Sequence, residues 1–132
     1  MKMTIIVHGG AWKIPEDMEK PCLEGVERAA KVAMNRLLDD NSALDAVEVA
    51  VKCMEDNPAF DAGVGSVLNA EGEIELDAAI MEGKTLNAGA VAAVRNIRNP
   101  ISLARRVRKL ESRFLGGRRG KQICWTSRIR KV

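Results

Sequence analysis

The chain has 132 residues, 46% of them hydrophobic and 30% charged, which suits one globular domain with a modest core or a piece of a larger one and excludes disordered and collagen-like chains. Its formal charge of +3 is unevenly spread: residues 1–95 carry 9 Lys or Arg against 17 Asp or Glu, a net of −8, whereas residues 96–132 carry 12 against 1, a net of +11. No apolar run reaches the roughly 18 residues of a membrane helix, and the seven residues before His8 are too few for a secretory signal, so a cytoplasmic protein without membrane contact is expected.

Thr4-Ile5-Ile6-Val7 is a short β-branched run stopped by Gly9-Gly10, the pattern of a buried strand entering a turn. Leu23, Val26, Ala30, Ala33, Met34 and Leu37 recur at three- and four-residue intervals, so a helix over about 18–38 would carry one apolar stripe. Ser42 and Asp45 have the spacing of a capping box, and Leu44, Val47, Val51 and Met54 continue one face of a second helix. Residues 67–69 and 73–80 read as a hairpin turning at Ala70-Glu71-Gly72, and Gly83 marks a further turn. Residues 88–94 are small and apolar throughout, which predicts a strand covered on both faces. Asn99-Pro100 then opens a helix containing Ile101, Leu103, Ala104 and Val107. This order predicts an α+β architecture with helices on a largely antiparallel sheet.

Cys22, Cys53 and Cys124 are odd in number and scattered, which predicts free thiols rather than a disulfide framework or a metal site. His8 is the only histidine, and support of the Gly9-Gly10 turn is a better reading of it than proton transfer. Asp77 shares a strand face with Glu73 and Glu75, where a solvated surface competes with a structurally fixed carboxylate. Gly9-Gly10 and Gly63-Val64-Gly65 lack the spacing of a phosphate-binding loop.

The segment Asn57-Pro58-Ala59-Phe60-Asp61-Ala62-Gly63-Val64-Gly65-Ser66-Val67-Leu68-Asn69 carries Gly and Pro punctuation inside an apolar run, so it is a shaped loop rather than a plain strand. With Val7-His8-Gly9-Gly10-Ala11, Ser42-Ala43-Leu44-Asp45-Ala46-Val47, residues 75–83, Leu86-Asn87-Ala88-Gly89-Ala90-Val91 and Asn99-Pro100-Ile101-Ser102-Leu103-Ala104-Arg105, it resembles the plant-type asparaginase and isoaspartyl peptidase family over roughly residues 4–107. The resemblance implies the N-terminal half of an αββα sandwich of the N-terminal-nucleophile hydrolases, made as a precursor that cleaves itself into α and β chains. It implies hydrolysis of the side-chain amide of asparagine or of β-aspartyl peptides by a threonine that opens the β chain and whose own amino group is the general base. It also implies a dimer of αβ units, no required cofactor and a sodium ion held by backbone carbonyls, which carry over to Glu55, Asn57, Phe60, Ala62 and Val64. Asp61, in the wall beside the nucleophile, stands where the family pattern has asparagine, and an ionised carboxylate accepts hydrogen bonds but cannot donate them.

Thr4, Thr85 and Thr126 lack the Gly-Thr-Val-Gly setting of that nucleophile, so no catalytic residue is assigned and the chain alone is expected to be inactive. Two segments are therefore expected, residues 1–107 resembling the α chain and a basic tail over 108–132 that is out of frame or disordered. Read one base later, permissible codons for residues 115–125 can encode Leu-Val-Gly-Glu-Gly-Ala-Asn-Lys-Phe-Ala, the family pattern that the in-frame residues lack. Two rival classes remain: a nucleic-acid-binding protein using the tail arginines and Trp125, and a non-catalytic partner of a full-length relative.

Overall fold

The structure, a computed structural model, describes residues 3–40, 42–110 and 114–116. The chain forms two compact units, one up to Gly65 and one from Ser66 onward.

In the first unit an extended segment leads into two packed helices, α1 (Glu16–Asp40) and α2 (Ala43–Glu55). Helix α1 begins two residues before its expected start and ends two after its expected stop. Its buried face, Cys22, Gly25, Ala29, Ala33 and Leu37, is unusually small, which lets the helix backbone approach its neighbours closely. Ser42 caps α2 as its spacing predicts, its Oγ accepting the Asp45 N–H at 3.2 Å. Arg36 pairs with Asp40 at 2.7 Å across the last turn of α1.

The strand expected over residues 4–7 differs from its sequence reading. Met3, Ile5 and Val7 do pack against the core of Ala33, Leu37, Ala46 and Ala50, with the two-residue alternation of an extended chain. Among the described residues, however, the segment joins no ladder, and Ile6 on its other face is 92% exposed. The β-branched run set the conformation, but one face of this segment is open rather than buried.

The second unit holds β1 (Leu76–Glu82), β2 (Asn87–Val94), α3 (Pro100–Val107) and β3 (Phe114–Gly116), with sheet order β1-β2-β3. β1 and β2 are antiparallel, whereas β2 and β3 run parallel, Val91 lying opposite Leu115. The sheet is thus mixed rather than largely antiparallel, because α3 carries the chain back to the end at which β2 began. The expected hairpin keeps its turn but not its first arm. Asn69 accepts the Gly72 N–H and donates its own N–H to Glu73, and its Oδ1 accepts the N–H groups of Glu71 and Glu73, while residues 67–69 are not a strand.

Helix α3 starts at Pro100, where a missing N–H costs nothing, and the Ser102 N–H bonds to the Asn99 carbonyl. It covers one sheet face, so that Val91, Val94, Leu103 and Val107 are almost wholly enclosed; each contributes about 1.5–3 kcal/mol of burial free energy. A Cβ on Gly89 would meet the Arg108 N at 2.4 Å were it not a glycine, which is how close helix and sheet lie. The opposite face of β2, Ala88, Ala90 and Ala92, is only half-buried. The expectation of a strand covered on both faces therefore holds on the α3 side alone.

The basic tail lies largely outside the described residues, as do Cys124, Trp125 and Thr126. Its described residues are 108–110, which form the turn following α3, and Phe114–Gly116, which form β3 with Leu115 buried. No helix among the described residues is long and apolar enough to cross a membrane.

Candidate functional site

The loop that leaves α2 is built almost entirely from backbone. Asp56 and Asn57 close the helix by donating to the carbonyls of Lys52 and Met54 at 3.0 Å each. Asn57 then turns the chain, its Oδ1 accepting the Ala59 N–H at 3.0 Å and its carbonyl accepting the Phe60 N–H at 3.2 Å. The Phe60 carbonyl accepts Ala62 N–H at 2.8 Å, and the Ala62 carbonyl accepts Gly65 N–H at 3.2 Å, completing a short 3-10 turn over Gly63–Gly65.

Glycine is required at both ends of that turn. Gly63 has φ +56, and a Cβ there would collide with the Glu55 carbonyl oxygen. A Cβ on Gly65 would collide with the Phe60 carbonyl oxygen and lie 2.7 Å from that of Pro58. Three carbonyl oxygens, from Glu55, Pro58 and Phe60, thus press against two glycine Cα positions, a concentration of main-chain acceptors that no side chain separates.

Of the five carbonyls expected to act together, those of Glu55 and Phe60 abut the glycine pair, while those of Asn57 and Ala62 lie in the same hydrogen-bonded ladder. The Val64 side chain is 55% exposed. Pro58, whose carbonyl meets Gly65, escaped the sequence reading because proline signals a turn but not the direction of its own oxygen. Asp61 is exposed on the outside of the loop. The Glu55 side chain is the buried charged residue at its root, 2% exposed.

Phe60 plugs the loop into the unit's second core, with Cys22 and Ala59 and the flanking Ile14, Met18, Val26 and Met54. Cys22 Sγ donates to the Ala59 carbonyl at 3.4 Å, so this buried thiol braces the loop from α1. His8 Nδ1 accepts the Gly10 N–H at 3.1 Å while Gly10 takes φ +109, the structural part expected of it.

Thr85 lies in the turn between β1 and β2, its hydroxyl donating to the Glu82 carboxylate. Thr4 is exposed on the extended N-terminal segment. Among the described residues no three of His, Cys, Asp and Glu gather as a metal-binding group.

Within the second unit, Arg95 pairs with both Glu73 and Glu75, and Asn69 Nδ2 also donates to Glu75 at 3.1 Å. The Arg95 hydrogen bond, then that of Asn69, hold the Glu75 carboxyl below its ordinary range, and Glu75 in turn raises Arg95. This charge cluster fastens the 69–75 turn to the end of β2.

The sequence pattern of the family described as asparaginase matches residues 1–132. The chain is similar to a plant-type L-asparaginase of Thermococcus kodakarensis, 59% identical over 105 residues, covering 79% of this chain and 34% of that protein. It is similar to a plant-type L-asparaginase of Pyrococcus furiosus, 56% identical over 106 residues, covering 80% of this chain and 34% of that protein. An isoaspartyl peptidase/L-asparaginase of Xenopus laevis is 54% identical over 107 residues, 81% of this chain and 35% of that protein. The chain thus spans about a third of the length of these curated relatives.

Proposed function

Because the chain belongs to the asparaginase family, we propose that it forms the α-chain part of an amidohydrolase acting on asparagine or on β-aspartyl peptides, with the nucleophile supplied by a segment other than these 132 residues. The observation that carries this reading is the glycine-bent loop over 55–65, a wall of backbone oxygens with no Ser, Thr or Cys nucleophile of its own. A threonine hydroxyl with a free α-amino group beside it needs such a wall for placement, not for proton transfer. The half-buried alanine face of β2 supports the same reading, since a second sheet laid on it would complete an αββα sandwich. In that arrangement the functional assembly is a dimer of αβ units.

The loop's chemistry fits a sodium ion. Hard cations prefer oxygen, and each carbonyl that accepts one N–H in the loop keeps a second lone pair. The carbonyls of Glu55, Asn57, Phe60, Ala62 and Val64 would hold it, with Pro58 beside them. Its part would be structural, tying the end of α2 to the Gly63–Gly65 turn. With Asp61 exposed, the loop presents a carboxyl group where the family pattern has an amide.

The basic segment over 108–132 is read as an out-of-frame continuation, since permissible codons for residues 115–125, read one base later, can encode the family pattern; the gene sequence across codons 105–115 tests it. For the functional reading itself, residues 1–107 grafted in place of the matching segment of the Thermococcus kodakarensis relative should give a chimaera that cleaves itself and releases ammonia from asparagine. A soluble, folded chimaera that does neither would refute the proposal.

A further inference from the structure

We infer that Phe60 is a positioning residue whose ring takes the space of a side chain at Gly25 and, together with Val26, at Gly9. A Cβ on Gly25 would lie 2.6 Å from Phe60 Cε2, 2.7 Å from Cζ and 2.8 Å from Asn57 Nδ2; one on Gly9 would lie 2.7 Å from Val26 Cγ1 and 2.8 Å from Phe60 Cε1. Gly25 sits inside α1, where alanine makes a more stable helix, so its lack of a side chain answers a need outside the helix. The extended N-terminal segment and α1 therefore grip one ring from two sides, leaving it no second position.

That ring belongs to the residue at the centre of the carbonyl ladder. The Phe60 N–H donates to Asn57, its carbonyl accepts from Ala62, and the same oxygen presses against Gly65. Fixing the ring fixes the Cα–Cβ direction, and with it the direction of the peptide on either side. The glycines at 63 and 65 permit the turn; the clamp on Phe60 selects where its oxygens point. This inference deepens the proposed role of the loop and rests on it for its functional meaning, but the clamp is testable without it.

The test uses the full 132-residue chain and its Gly25→Ala, Phe60→Leu and doubly substituted forms. Amide hydrogen exchange is followed at Ala62 and Gly65, which bond to the Phe60 and Ala62 carbonyls, with Ala46 in α2 and Ser102 in α3 as controls. Gly25→Ala is expected to speed exchange at Ala62 and Gly65 on the order of tenfold while Ala46 and Ser102 keep their protection. The smaller side chain of the double variant should restore part of it. Should Gly25→Ala fail to fold, Phe60→Leu, which adds no atom, carries the same comparison. In parallel, the melting temperature is measured in sodium chloride against choline chloride at equal ionic strength, where the sodium-dependent increment of the parent should disappear in Gly25→Ala. No increment in the parent would overturn the sodium reading and leave the exchange result to decide the clamp. Unchanged exchange at Ala62 and Gly65, or equal loss at Ala46, would overturn the clamp itself.

Discussion

The Oδ1 of Asp77 accepts a 2.7 Å hydrogen bond from the N–H of Ala93, an alanine held at φ 50°. Leu76 pairs with Val94 and Ala78 with Val91, so Asp77 alone faces both Ala92 and Ala93, a β-bulge at the far end of β2. The carboxylate fixes the residue that the bulge forces into the left-handed region, which settles between the two sequence readings of Asp77 in favour of structural fixation. Ala93→Gly should stabilise the second unit by about 1 kcal/mol, since only the methyl group opposes that conformation. Asp77→Ala should cost about 1 kcal/mol. Urea unfolding of the two variants measures both, and a destabilising Ala93→Gly would contradict this account of the bulge.

Two glycines with positive φ should behave differently. Gly72, at φ +75, faces open space, whereas Gly63, at φ +56, faces the Glu55 carbonyl. Gly72→Ala should therefore cost only the conformational penalty of about 1–2 kcal/mol. Gly63→Ala carries the same penalty and must also move a carbonyl, so its loss should be visibly larger and confined to the first unit. Circular dichroism melts of the two variants make the comparison; equal losses would mean that the 55–65 loop yields easily.

These elements also show what a sequence can and cannot disclose. The helices, the Ser42 cap and the Pro100 start are written in residues close together along the chain, so spacing alone located them. The open face of residues 4–7 and the half-covered β2 were misjudged because an apolar run says that a strand prefers burial, not whether anything lies against it. The bulge depends on pairing across 16 positions, and β3 on a strand partner 24 positions away, inside a segment whose charge suggested a tail. The grip on Phe60 joins residues 9, 25 and 60; its one local trace was a glycine within the apolar stripe of α1. Carbonyl directions leave no mark on side-chain identity, which is why Pro58 was overlooked while the loop itself was plain.

Removing the hydroxyl of Ser42 leaves the Asp45 N–H without its cap. Ser42→Ala should destabilise the first unit by about 1 kcal/mol and Ser42→Asp should restore it. Chemical unfolding followed by helix signal tests this, and an unaffected Ser42→Ala would show that the cap carries no weight.

Glu75 supplies a pH dependence of known sign. Its folded carboxyl titrates below the unfolded value of about 4.3, so its contribution is complete above that value and is lost as pH falls through the lowered folded one. Stability of the second unit should therefore decline on the acid side of about pH 4.3, and Glu75→Gln should flatten that decline. The pair is exposed and screened, so the effect should shrink in high salt. An acid limb unchanged by Glu75→Gln would remove Glu75 from its cause.

On the proposed function, the wall of main-chain oxygens over 55–65 places a reacting hydroxyl supplied by another segment. The most direct measurement is ammonia release from asparagine and from a β-aspartyl dipeptide by the pure 132-residue chain, prepared from a host lacking its own asparaginases. The expected result is no release above the buffer blank with either substrate. Sustained turnover that follows the chain through purification would contradict the account, because a nucleophile would then have to lie among these residues.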